Sequence, residues 1–176
     1  MRWSWGTTIR LMFFANSNFR HGLYAGLLVA LGLGVYLFQL WAPEQQVRLH
    51  SAHLMAALEA QDWSGVQEFL DQSYEDQWGH DRVLLLAQLK QILPYARHLR
   101  IVAREIIVHT ANGAGEWRAR ITVEADPNEV SALIIERINP LTEPFVLQWR
   151  QVSKKPWDWK LVRVANPALE LPSGSF

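Results

Sequence analysis

The chain has 176 residues with 17 basic and 17 acidic side chains, nine tryptophans and no cysteine. That length admits one domain plus a short appendage, and the missing cysteine excludes disulfides, thiolate nucleophiles and Cys-based metal sites. Arg2, Arg10 and Arg20 all precede the first acid, Glu44, so the rest of the chain carries 14 basic against 17 acidic residues and a net charge of −3, which disfavours nucleic acid or an anionic membrane surface as its main partner.

The first 21 residues, MRWSWGTTIRLMFFANSNFRH, form a basic tail rich in aromatic and aliphatic residues but without a single helical stripe. Such a segment either lies in a membrane interface or brushes it as an irregular tail. Gly22 to Trp41 follows, GLYAGLLVALGLGVYLFQLW, with no charge and Gln39 as its one strongly polar side chain. Twenty residues at ~1.5 Å each span about 30 Å, the thickness of a bilayer's hydrocarbon core. A signal peptide has a shorter apolar region and a small-x-small cleavage site, whereas this run ends in Leu40-Trp41-Ala42-Pro43. A transmembrane helix over residues 22–41 is therefore the expectation, with the lipid bilayer as its partner.

Arg20 and His21 flank the start of that span and Pro43-Glu44-Gln45-Gln46 its end. The positive-inside rule places the tail in the cytoplasm and the remainder in the periplasm or outside the cell. Tyr24, Tyr36 and Trp41 are candidate interfacial anchors. Gly22, Gly26, Ala30 and Gly34 recur every four residues, a pattern that lets two helix backbones approach closely. The stripe predicts a homodimer; the alternative is that glycine is simply common in membrane helices.

The segment from Pro43 reads as a helix to about Gln61, with Val47, His50 or Ser51, Leu54, Ala57 and Leu58 on one face. Asp62 caps a second helix whose buried face holds Val66, Phe69, Leu70 and Tyr74. Asp81 caps a third, with Val83, Leu85, Leu86, Leu89 and Ile92 as its apolar positions and Pro94 at its end. From Leu99 the period becomes two. The apolar set of Leu99–His109 changes parity at Arg104-Glu105, which predicts a β-bulge there. Ala111–Gly115 is a hairpin loop, and on the return strand Trp117, Ala119, Ile121 and Val123 face one way while Arg118 and Arg120 face solvent. Asp126-Pro127-Asn128-Glu129 starts another helix with Asp126 as cap, a strand through Ala132–Ile138 being the alternative. Two strands follow, Phe145–Val152 and Trp157–Val164, and the end from residue 168 is expected to fray.

Helices followed by an antiparallel sheet with one face to bury define an α+β domain. The run ALEAQDWSGVQEFLDQSYEDQWG, a third helix, and strands ending in WDWKLVRVANP resemble the nuclear-transport-factor-2-like superfamily over about Val47 to Pro167. The resemblance implies three helices packed on a curved antiparallel sheet, forming a cone with a pocket, over residues 43–167. It implies little about function, since such folds serve enzymes, ligand binders and assembly modules alike. Tail, span and periplasmic domain in this order are also similar in layout to an inner-membrane component of type IV secretion systems.

The residues able to line such a pocket are Tyr74, Trp78, Glu105, His109 and Trp149. A Tyr74/Glu105 acid–base pair would need an apolar setting to raise the carboxyl pKa. The competing reading is a core tyrosine and a solvated glutamate. His50 and His53 lie within reach of each other on one helix, yet no further ligands accompany them, so no metal is implied. Lys154-Lys155 reads as a solvated turn, and Trp149, Trp157 and Trp159 as core and cone lining, an exposed subset forming an interaction patch. No catalytic motif and no cofactor emerge. The expectation is a membrane-anchored binding or assembly domain for a membrane-complex protein or a small apolar ligand, the alternative a tethered isomerase, dehydratase or hydrolase.

Overall fold

The computed structural model describes residues 17–170, and the chain divides into two compact units, Met1–Gln39 and Leu40–Phe176. The expected interfacial tail and the last residues lie outside the described residues. Of the first unit, helix α1 (Ser17–Leu40) is described. From Tyr24 to Phe38 its side chains are exposed on every side. Among the described residues no single helix is long and apolar enough to cross a membrane.

The second unit opens with α2 (Pro43–Glu59), Pro43 in its first turn. Val47, Ser51, Leu54 and Met55 are buried, at the helical spacing that the sequence shows. Helix α3 (Trp63–Phe69) is capped by the Asp62 carboxylate, which accepts from Gly65 N at 3.1 Å. It stops a turn earlier than the apolar pattern predicts. Leu70 is extended and forms a parallel bridge with Leu161, and the N–H groups of Asp71, Glu75 and Gln77 donate to the carbonyls of Leu161, Val162 and Val164. These donors find acceptors on a sheet edge instead of in a further helical turn. Residues 70–77 thus form a strap along the outermost strand, and Tyr74 lies on the strap, not on a helix.

Two carboxylates hold the strap. Asp71 accepts from Ser73 N at 2.9 Å and Arg150 at 2.8 Å; Asp76, almost fully buried, accepts from the backbone N–H groups of Trp78 and His80 at 2.9 Å each and faces His80 Nδ1 at 2.9 Å. Burial raises the pKa of Asp71, but the bonds from Ser73 and Arg150 outweigh it and leave the carboxyl below the ordinary aspartate value. The strap covers an edge whose free N–H and C=O groups would otherwise pair with other chains.

Asp81 caps α4 (Arg82–Ile92), as the sequence indicates, and a 3-10 turn over Leu93–Tyr95 closes it. The sheet is four antiparallel strands in sequence order: β1 (Arg100–Ala111), β2 (Ala114–Glu124), β3 (Phe145–Gln151) and β4 (Trp159–Ala165). The expected bulge is present. Register passes from Arg104↔Arg120 to Ile107↔Arg118, and Glu105 takes a φ of +57°. The extra residue lets Ile101 and Ala103 before it, and Ile106 and Val108 after it, pack on the same core. Asn112 and Gly113, both at positive φ, make the β1–β2 turn.

Helix α5 (Glu129–Ile138) forms where the helical reading placed it, with a different cap. Asn128 accepts from Ser131 N, and the Ser131 hydroxyl accepts from Asn128 N, a reciprocal box two residues past Asp126. Asp126 is instead engaged with His98 at 2.8 Å. Past Pro167 the chain is still tied down: Asn166 Oδ1 accepts from Ala168 N and Leu169 N, and Leu169 O accepts from Trp78 Nε1.

Candidate functional site

The helix-facing side of the sheet, where a cone pocket is expected, is filled by the chain's own aromatics. Trp117, Trp149 and Trp159 are all at most 2% exposed and share one core with Val47, Val66, Leu70, Tyr74 and Leu147. Packing is tight where α2 meets β2. A Cβ placed on Gly115 would sit 2.5 Å from Val47 Cγ2 and 3.1 Å from the Trp159 ring, so glycine is what allows the helix this close. Trp149 lies edge-on to His50 (5.8 Å between ring centres) and Phe69 (6.3 Å), a geometry that aromatic quadrupoles favour. Its Nε1 has no hydrogen-bond partner among the described residues.

Of the five candidate pocket residues, only His109 and Trp149 border a common groove, and the other three lie apart from it. Tyr74 and Trp149 are buried in the core; Trp78 is half-buried, its Nε1 donating to Leu169 O at 2.9 Å. Glu105 and His109 are exposed on β1. Tyr74 lies on the strap outside β4, and β4 is itself three strand spacings, about 14 Å of sheet, from the β1 strand that carries Glu105, so the two do not form an acid–base pair. Burial, and then the Asp76 carboxylate, push the Tyr74 phenol up, Arg163 opposing them. Tyr74 is 3% exposed and packs in the core. Glu105 has left both core and pocket, because the bulge turns it outward at positive φ.

His50 points inward, its Nδ1 against Gln46 O at 2.8 Å, while His53 is exposed, so the two do not share a site. Among the described residues no group of three His, Asp or Glu side chains is placed to hold a metal ion.

Shallow grooves lie on the surface of the described residues. One of about 900 Å³ lies between Pro94–Arg97 and the start of α5; one of about 530 Å³ lies on the sheet over His109, Glu116, Gln148 and Arg150 and also borders Trp149. On the outer face His109, Glu116, Gln148 and Arg163 stand in one cross-strand row, and Arg118 pairs with Glu116 at 2.6 Å. Arg118 is exposed, as the alternation indicates, and Arg104 stands opposite Arg120 with no acid between. Strand alternation gives this face, but the groove depends on register, which the sequence does not show.

One end of the sheet carries an apolar patch that includes Trp157, read from the sequence first as core, and Trp41, read as an interfacial anchor. Trp157, in the β3–β4 turn, is 53% exposed, Trp41 46% and Val152 46%. Trp41 and Trp157 touch, 6.4 Å between ring centres. Trp159, by contrast, is buried with its Nε1 bonded to Pro156 O at 2.8 Å. Two residues apart on one strand should share a face; the turn ends at Trp157, before β4 begins, so the alternation does not yet hold there.

No protein-family model matches the sequence, and no curated protein does. Solved structures with the same fold do. A nuclear-transport-factor-2-like protein of unknown function from Pseudomonas putida KT2440 superposes on 69% of this chain and 82% of its own, with TM-score 0.52 and 11% identity. A putative aromatic ring hydroxylase from Novosphingobium aromaticivorans covers 70% and 86%, with TM-score 0.53 and 10% identity. Bdellovibrio bacteriovorus Bd1075 gives TM-score 0.53 at 12% identity; the chain spans 39% of that protein's length and matches over 69% of its own. The architecture is thus a nuclear-transport-factor-2-like α+β fold, helices packed on a four-stranded antiparallel sheet. At such identities the likeness concerns the fold alone.

Proposed function

We propose that this chain is a single-pass, membrane-anchored binding or assembly domain that works through its surface, and that its core is not a reaction chamber. The observation that carries this reading is the filled cone: three buried tryptophans, Tyr74 and the Gly115–Val47 contact occupy the space where a ligand of this fold class would sit. A small apolar ligand in the cone would have to displace them. Surface recognition of a protein, in a membrane complex or as a second copy, needs no such displacement.

The anchor in this reading is residues 22–41. Two observations support it: the uncharged twenty-residue run, and a helix whose apolar side chains are exposed all round, from Tyr24 to Phe38. A helix apolar on every side belongs inside a protein or a bilayer. Arg20 and His21 put the tail in the cytoplasm and the domain beyond the inner membrane.

Titration with steroid-sized apolar ligands, followed by tryptophan emission, tests the filled cone. No saturable one-to-one binding is expected; saturable binding that Trp149→Phe alters would restore the pocket. Light scattering of the full chain in detergent tests assembly. A dimer that becomes a monomer on Gly26→Ile places self-association in the Gly22/Gly26/Ala30/Gly34 stripe, a dimer indifferent to it places the interface in the domain, and a monomer leaves a different protein as the partner.

The tethered-enzyme alternative draws on one observation, the unpartnered Nε1 of Trp149 beside His50. A buried N–H of this kind is where an acceptor group of a ligand would bind. The same titration separates it from the first reading.

A further inference from the structure

We infer that the β3–β4 turn is a second membrane contact, Trp157 and Val152 entering the headgroup region of the bilayer while Lys154 and Lys155 meet lipid phosphates. This inference rests on the proposed span through residues 22–41 and adds to it a defined face of the domain.

The apolar run ends at Leu40-Trp41, and the start of the second unit fixes those two residues: Gln46 Nε2 donates to Leu40 O at 2.7 Å, and the Trp41 ring stacks at a tilt on Trp157 with 6.4 Å between centres. Each interfacial layer of a bilayer is about 5–8 Å thick. If Leu40 lies at the edge of the hydrocarbon, Trp41 is one residue into the interface and the Trp157 ring one ring-width further. The separation is an upper bound on the extra depth, so the Trp157 ring stays within about one layer thickness of Trp41.

The side chains suit that position. Tryptophan favours the interface because its ring is apolar and its N–H polar, and here both rings are about half exposed. Val152, beside them, is exposed where the turn begins. The turn itself, Ser153-Lys154-Lys155-Pro156, is exposed or half-exposed and carries two cations and no acid. Asp158, at its base, donates from its backbone to Lys155 O and accepts at its own carbonyl from Val152 N, closing the loop into a fixed shape. The domain's net negative charge acts at long range and is screened; at contact the local pair of lysines decides.

With no cysteine in the chain, single-cysteine variants give unambiguous labels. The full chain is reconstituted in vesicles of phosphatidylcholine and phosphatidylglycerol, with an environment-sensitive fluorophore on Ser153→Cys and lipids spin-labelled near the headgroup as quenchers. Glu136→Cys, on α5 at the opposite end of the sheet, is the control, and Val29→Cys with a deep spin label reads the span separately. The expected result is a blue shift and loss of emission at 153, little change at 136, and a return of emission at 153 when Trp157→Ser and Lys154→Ala/Lys155→Ala are added. Emission at 153 that the lipid quencher leaves untouched overturns the inference. If that happens while 29 is quenched, the span stands and the turn faces water or a second copy. An unquenched 29 breaks the span itself.

Discussion

Helix α1 and the second unit are built from the same kinds of residue and treat them in opposite ways. In α1 leucines, valines and tyrosines face outward on every side, Phe38 the most exposed at 79%; beyond Leu40, Trp117 and Trp149 are shut away from solvent. The difference lies in pattern. An α-helix buries a stripe, so a sequence apolar at all positions leaves most of its surface unmatched by any one neighbour. The sheet's period of two presents one face to the helices and the other to water, and one apolar residue in two suffices. The contrast teaches that hydrophobic content locates a region's solvent only when it is read together with its period.

Substitutions sharpen that contrast, beginning with the largest effect. Trp149→Ala removes a fully buried indole and leaves a cavity, and should cost about 3–5 kcal/mol in a urea titration of the domain. A cost under about 1 kcal/mol would mean that the cone is loosely packed after all. Val29→Lys puts a charge in the middle of α1, which opposes membrane insertion by about 2.5–3.5 kcal/mol. Carbonate extraction should then release the protein, while the urea midpoint of the domain stays where it was. Release without a change in midpoint supports two independent regions; an unchanged membrane fraction breaks the anchor reading.

Tyr74 offers a pH readout. Its ionisation is held up by burial first and Asp76 second, so below pH 10 the phenol is neutral folded or unfolded. Above pH 10 the unfolded chain ionises while the folded one resists, and stability falls by about 1.4 kcal/mol per pH unit until the folded phenol ionises too. Tyr74→Phe should remove this component of alkaline unfolding, measured as urea midpoint against pH; an unchanged slope would place the phenol in water. Smallest is Glu105→Gly. Relief of a left-handed φ of +57° should stabilise the domain by about 0.5 kcal/mol in the same titration, and a loss instead would give the Glu105 side chain a role that its exposure does not show.

Much of the fold is legible in the sequence where one local rule suffices. Asp62 and Asp81 sit just before helical runs and cap them, Asn112-Gly113 lies between two alternating strands and makes their turn, and the parity switch at Arg104-Glu105 is the bulge. The misreadings occur where two local rules compete or a distant group decides. Asp126 and Asn128 are both good caps, and His98 takes one of them. Leu70 and Tyr74 keep helical spacing, yet β4 offers their segment carbonyl acceptors from 90 residues away in sequence, and α3 ends. The candidate pocket fared least well. Tyr74, Trp78, Glu105, His109 and Trp149 each suit a pocket lining singly, but convergence is a property of register and packing, and only His109 and Trp149 border one groove while the others lie in the core, at the edge or on the outer face.

By itself the sequence determined the uncharged run of residues 22–41, the α+β order of elements, most helix starts and the bulge, because each follows from the covalent neighbours of the residues concerned. Only the tertiary structure decided that the cone is filled, that residues 70–77 run along a sheet edge, and that Trp157 lies outside against Trp41 while Trp159 lies within. Those outcomes depend on which surfaces meet, and no stretch of chain carries that information alone.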